Sequence, residues 1–316
     1  MVPMEVVWPM RCREGGLCLA IFALVLFALS PMAPAADATQ KNFASPEDGI
    51  AALVETVKLN EQAKLDAILG SHGTRLISSG DEVADRQGRE RFLKAYDEAN
   101  KLVLEGDTAT LVIGKDEWPL PIPLVKIQGR WRFDALQGEE EILARRIGRN
   151  ELSAIQVCLA IVDAQREFVA FDRDGDAILE YASKFVSTPG KHDGLYWETQ
   201  LDEPPSPLGP LLVVATSEGY GSSDSQPLAP YHGYFYRILT KQGKDAQGGA
   251  YDYLIDGKMI GGFGVIAYPA RYGASGIMSF IVNQDGVVYQ KDLGKDTAAI
   301  AAQIAIFNPD ASWKRP

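Results

Sequence analysis

The sequence has little cysteine, little histidine and, past its first thirty residues, no long apolar run. Three Cys in 316 residues cannot build a disulfide scaffold. His72, His192 and His232 stand far apart, with no H-E-x-x-H or paired spacing, so a zinc site has no support. No G-x-S-x-G, no S-x-x-K with its partners and no Walker loop occurs, and no catalytic or cofactor-binding residue is singled out. Basic charge is in deficit: 31 Lys plus Arg stand against 42 Asp plus Glu, a net charge of −11. That balance excludes nucleic acid as a partner, because such binding depends on cations that neutralise phosphates. With 46% apolar and 23% charged residues, the composition is that of a globular protein and excludes a mainly disordered chain.

The apolar run that does exist is Leu17–Leu29, 13 residues preceded by Arg11 and Arg13, broken by Ser30-Pro31 and followed by Ala33-Pro34-Ala35. A basic start, a short apolar core and an A-x-A site form a secretory signal. A spanning helix needs about 20 apolar residues, so a membrane anchor fits less well. A lipid anchor fits less well too, because Cys18 lies at the start of the run and not after it. The expected product is an exported protein, periplasmic or extracellular, beginning at Ala36, with no transmembrane segment. Cys12 and Cys18 leave with the signal, so Cys158 remains alone and no internal disulfide can form, although the compartment permits one. Glu5, Arg11, Arg13 and Glu14 cancel, so the exported chain keeps the full charge.

The rest is expected to be α+β, with a short linker over 36–43, an N-terminal domain over 44–136 and a C-terminal domain over 137–316. Ser45-Pro46-Glu47-Asp48 reads as a capped helix start, and Ile50, Leu53, Val54 and Val57 give it an apolar face. A second helix is predicted from Asn60 to Gly70 and a third over 82–100, where Phe92, Leu93 and Tyr96 share a face. Strands are predicted over 108–113, 122–127 and 131–133. Residues 138–171 read as a long helix with a break near Gly148; Leu152, Ile155, Leu159 and Val162 mark its buried face, and Cys158 sits on that same side. Strands follow over 231–240, 262–268, 276–283 and 287–290, with a hairpin turn at Asp285-Gly286. Asp296-Thr297 begins a last helix, with Ile300, Ile304 and Phe307 at helical spacing.

Helices followed by strands that close on Val125-Lys126-Ile127-Gln128-Gly129-Arg130-Trp131-Arg132-Phe133 resemble the cone-shaped nuclear-transport-factor-like fold. That resemblance implies a curled antiparallel sheet and, in some relatives, a pocket. The phrases IGRNELSAIQVCLAIVDAQREF, FDRDGDAILEYASKFVSTPGKHDGLYW, PYHGYFYRILTKQG and GGFGVIAYPARYGASGIMSFIVNQDGVVYQKDLG are similar to those of exported bacterial proteins of domain-of-unknown-function family 2950, over roughly residues 43–314. That resemblance implies no activity. The second half also resembles, loosely, the globular heads of type IV pilins and pseudopilins, a long helix on an antiparallel sheet. It lacks their leader and apolar stem, so assembly through such a stem is not expected.

One loop has metal-ligand spacing. Asp172, Asp174 and Asp176 occupy positions 1, 3 and 5 of an EF-hand-like series, Ile178 would offer its carbonyl at position 7, and Glu180 stands at position 9. Helices are expected on both sides. Position 6 is Ala177 in place of Gly, and position 12 is Ser183 in place of the bidentate Glu. The readings are a weak, structural calcium site or a solvated polar turn. Lys191-His192-Asp193-Gly194-Leu195-Tyr196-Trp197 could line a groove or simply pack over a sheet, and His232 among Tyr231, Tyr234 and Tyr236 reads as packing. The function expected is that of a non-enzymatic binding or structural module with an envelope protein as partner. The alternative is a small-ligand carrier or enzyme using a pocket in the N-terminal domain or near 192–197.

Overall fold

A computed structural model describes residues 40–70, 72–200, 202–220 and 229–316; the expected signal at 1–35 lies outside them. Helix α1 (Pro46–Leu59) starts where the sequence predicts, with Ser45 Oγ accepting the Asp48 N–H at 3.1 Å. Its face of Ile50, Leu53 and Val54 is buried. Helix α2 (Gln62–Leu69) stops at Gly70, whose φ of 76° is open to glycine at little cost. A short α3 (Gly73–Ile77) and then α4 (Glu82–Glu98) follow. Asp81 caps α4 through the Ala84 N–H at 3.0 Å.

An antiparallel sheet of five strands comes next: β1 (Asn100–Glu105), β2 (Thr108–Ile113), β3 (Trp118–Pro119), β4 (Leu124–Ile127) and β5 (Arg130–Phe133), in the order β1-β2-β4-β5 with β3 paired to β2. In β2, Ala109, Leu111 and Ile113 alternate onto the buried face. Gln128 and Gly129, both at positive φ, make the two-residue turn between β4 and β5. Helices α1–α3, this sheet and the start of α5 share one core that includes Leu65, Ile68, Leu124 and Phe133. Each such side chain contributes roughly 1.5–3 kcal/mol on full burial.

Helix α5 (Ala135–Val169) runs 35 residues without the break expected at Gly148. A glycine costs a helix interior only about 1 kcal/mol, and here packing on both sides outweighs it. Leu143 is anchored in the first core, and Ala154, Val157, Cys158 and Ile161 in a second. At its start, Gly138 lies so close to the Pro121 carbonyl that an added Cβ would sit 2.4 Å from the oxygen.

After α5 the chain is irregular until α6 (Gly209–Ser217); the helix expected on the far side of the acidic loop is absent. The turn there is held by its own carboxylates, and the chain then pairs with a later hairpin through Tyr181 and Met259. Strand β6 (Tyr234–Leu239) is followed by two small ladders, β7 (Lys241–Gln242) with β8 (Tyr251–Asp252) and β9 (Leu254–Ile255) with β10 (Lys258–Met259). Then β11 (Gly264–Pro269), β12 (Met278–Asn283) and β13 (Tyr289–Asp292) complete an antiparallel sheet of order β13-β12-β11-β6. Its central strand β11 is covered on both faces: Val265 and Ala267 pack with α5, and Ile266 packs in a third core with α7 (Thr297–Gln303). A strand buried on both sides reads as a continuous apolar run, as Gly264–Pro269 does.

The last helix ends at Gln303, earlier than its apolar spacing predicts. Thr297 and Ala301 are its buried residues, Ile300 is exposed, and Phe307 lies beyond the helix, bonded through its backbone to Lys241 and Gly243. Among the described residues, no helix is long and apolar enough to cross a membrane.

Candidate functional site

Helix α4 is the anomaly that leads to the site. It has 17 residues and an apolar face, yet none of its side chains is buried. Phe92 and Ala95 of that face border a cavity of about 1050 Å³, beyond the ~300–1,000 Å³ usual for small-molecule sites. The remaining wall comes from α1 and α2 (Leu53, Val57, Leu65, Leu69), from the first sheet and the link between β3 and β4 (Ile113, Trp118, Leu120, Ile122) and from one face of α5. On α5, Ile142, Arg145, Arg146, Arg149 and Ser153 recur at spacings of three and four, which puts them on one side of the helix.

The wall is apolar with one cationic sector. Arg89, Arg91, Arg145, Arg146 and Arg149 line it, and Asp85 is its sole carboxylate among the described residues. Asp85 is already engaged, accepting the Ser79 N–H at 2.9 Å and the Ser79 hydroxyl at 2.7 Å. Arg145 pairs with Glu141 at 2.7 Å. Arg146 donates to the carbonyls of Arg75 (3.0 Å) and Leu76 at the end of α3. Burial lowers the affinity of its guanidinium for its proton, and the neighbouring charges of Arg149 and Arg271 act in the same direction, against Asp85. Arg89 and Arg149 have no ion-pair partner among the described residues.

One end of the cavity is closed by residues more than 60 positions further along the chain. Tyr220 and His232 line it; Asp81, whose exposure is 1%, holds the first directly and the second through the neighbouring Gly233. Besides capping α4, Asp81 accepts the Tyr220 hydroxyl at 2.8 Å and the Gly233 N–H at 2.7 Å. His232 adopts a left-handed φ of 49°, a strained backbone for a residue with a side chain. Its ring lies 4.1 Å from that of Tyr231, and its Nε2 is 3.4 Å from Glu218. Burial, then Asp81, holds the Tyr220 phenol well above its ordinary range. Burial, then Glu218, pushes Tyr231 up to about 12. Both therefore stay protonated as donors at neutral pH. The sequence reading of His232 as packing caught its tyrosine neighbours and missed the cavity, since Glu218, Asp81 and α4 are far off in sequence.

The acidic loop lies elsewhere. Carboxylate oxygens of Asp172, Asp174 and Asp176 come within 4.8 Å of one another, and all three residues are exposed. Asp172 is spent on its own turn, accepting the N–H groups of Asp174, Gly175 and Ala177. Those bonds hold its carboxyl below the usual range. A cation of this chain already stands beside the others: Lys258 Nζ is 2.8 Å from Asp174, 2.5 Å from Asp176 and 3.3 Å from Glu180. Ile178 is exposed and donates its N–H to Asp176 at 2.9 Å.

The 192–197 loop does not border the cavity. Leu195 is fully buried and Trp197 nearly so. His192 stacks on Trp197 at 4.4 Å, with Arg173 over the same indole at 5.2 Å. Cys158 is fully buried, and burial pushes its thiol up to about 12, which removes it as a nucleophile at neutral pH. Residues 40–315 match the family described as "Protein of unknown function (DUF2950)". No curated protein and no solved structure matches the chain.

Proposed function

Since the chain belongs to the DUF2950 family, whose description carries no activity, we propose its function from its geometry: it is a non-enzymatic binding module that holds a small ligand in the cavity beneath α4. The observation that carries this is the apolar face of α4, only half-buried, bordering a cavity of about 1050 Å³. Phe92, Leu93, Ala95 and Tyr96 pack against the edge of the first core without any of them being fully buried, and the space left beside them suits occupancy by something else. The cone-like reading of residues 44–136 belongs to this proposal, supported by a helical group and an antiparallel sheet around one cavity. The pilin-head likeness of 137–316 is supported only as architecture, by α5 lying against β11 and β12. Export with cleavage after Ala35 is proposed on the sequence pattern of 17–35, and an envelope partner on that location.

Gly88→Trp tests the cavity. Gly88 lines it, and a Cβ there meets only the Arg91 guanidinium, at 4.0 Å. A ligand found in a thermal-shift screen of the wild-type chain should lose its shift in this variant while the folded baseline is kept. A shift that survives would place binding elsewhere. A calcium role for Asp172, Asp174, Asp176, Ile178 and Glu180 stays a proposal of its own, favoured by the three converging carboxylates. Calcium would have to displace Lys258 there, so Lys258→Met should bind it more tightly than wild type by isothermal titration. No heat from either protein at millimolar calcium would end that idea.

A further inference from the structure

The cavity's charge is opposite to that of the chain. A protein of net charge −11 places five arginines and one already engaged carboxylate around this cavity. Guanidiniums are costly to gather: each desolvates its neighbours' charge, and like charges repel. Arg146 shows the cost, being half-buried and beside Arg149. Arg89, half-buried as well, adds to it, and neither Arg89 nor the exposed Arg149 has an ion-pair partner among the described residues. Such a group is stabilised by an anion that takes bidentate hydrogen bonds. The rest of the wall, from Leu65 and Leu69 to Trp118 and Ile122, offers an apolar chain a place out of water.

We propose that the ligand is an amphipathic anion: a carboxylate or phosphate head held by Arg146, Arg149 and Arg89, carrying a single apolar chain that lies against the floor formed by α2 and the first sheet. This rests on the cavity being a binding site, and it names the chemistry that the site selects. Tyr220 is spent on Asp81, so the cationic sector stands as the anion's donor set.

Isothermal titration of the mature chain with four probes below their micellar concentrations tests the proposal: dodecyl phosphate, dodecanoate, dodecanol and dodecyltrimethylammonium. Inorganic phosphate serves as the headgroup alone. The two anionic chains should bind at least about tenfold more tightly than the alcohol, as charge-assisted hydrogen bonds imply. Arg89→Gln with Arg149→Gln should erase that preference without a change in melting temperature, since neither arginine holds the fold through an ion pair. Inorganic phosphate alone should bind weakly. If dodecanol binds as tightly as dodecanoate and Gly88→Trp blocks both, the cavity binds ligands but the charge inference fails. If no probe binds, or Gly88→Trp blocks none, the binding reading fails with it.

Discussion

Asp81 joins three parts of the chain through two oxygens. It caps α4, receives the Tyr220 hydroxyl and fixes the Gly233 N–H beside the strained His232. Asp81→Ala leaves a buried N–H without an acceptor and a helix without its cap. The expected loss is at least about 2 kcal/mol, read as a lower urea midpoint at unchanged slope. Asp193 makes the corresponding pH prediction. Burial works against its charge, but Lys184 at 2.8 Å and the backbone and hydroxyl of Thr188 outweigh it and bring its pKa down to about 2. A carboxyl depressed in the folded state stabilises above its unfolded pKa, about 3.9, and that stability is lost as pH falls through about 2. The pair is about two-fifths exposed, so salt should shrink the effect. Acid titration of stability should therefore fall less steeply between those values in Asp193→Asn than in wild type.

At the scale of elements, α5 couples the cavity to the second sheet. Gly148 sits between its two anchored halves, and a Cβ there would meet nothing within 4 Å. Gly148→Ala should raise stability by about 0.5–1 kcal/mol. Gly148→Pro should cost about 3 kcal/mol or more and, by bending α5 beside Arg149, weaken ligand binding beyond what the stability loss explains. Thermal melts of the two variants, with ligand titration of each, separate the effects. Much of this scaffold was legible in the sequence. The Ser45 cap, the strand over 108–113 and the Asp285-Gly286 turn are local patterns that survive translation into structure, whereas the face expected through Leu152, Ile155 and Leu159 is turned about the helix: Leu152 is exposed, and Ala154, Val157, Cys158 and Ile161 are the buried side chains with Val162. The break at Gly148 and the reach of the last helix to Phe307 were misread because packing overrode propensity in one case and a loop placed the apolar side chain in the other. The ladders β7–β10 are two residues each, too short for any periodicity. The cavity was the least legible feature. Residues 82–100 announced an apolar face, but nothing in the spacing of Phe92, Leu93 and Tyr96 says whether a face meets a core or open space. The recurrence of Arg145, Arg146 and Arg149 could have been noticed as a cationic helix face; its convergence with Arg89 depends on tertiary contact.

For the whole molecule, the opposition between a −11 surface and a cationic cavity makes a kinetic prediction with a definite sign. An approaching anion feels first the field of the chain, which repels it over roughly 30 Å at 0.01 M salt and about 8 Å at 0.15 M. Only near the cavity does the arginine sector take over, where the low-dielectric walls weaken screening. Raising salt over that range should therefore speed association of dodecyl phosphate, by removing repulsion, the reverse of ordinary electrostatic steering. Dissociation should quicken less, because the contacts that hold the head lie inside the wall. In Arg89→Gln with Arg149→Gln the dissociation rate should rise at every salt concentration, while the salt acceleration of association persists, since the −11 background is only made more negative. Stopped-flow binding at several ionic strengths reads both rates. An association rate that falls with salt in the wild-type chain would mean that the cationic sector reaches well outside the cavity. The ligand would then be captured at an exposed patch and not within the space under α4.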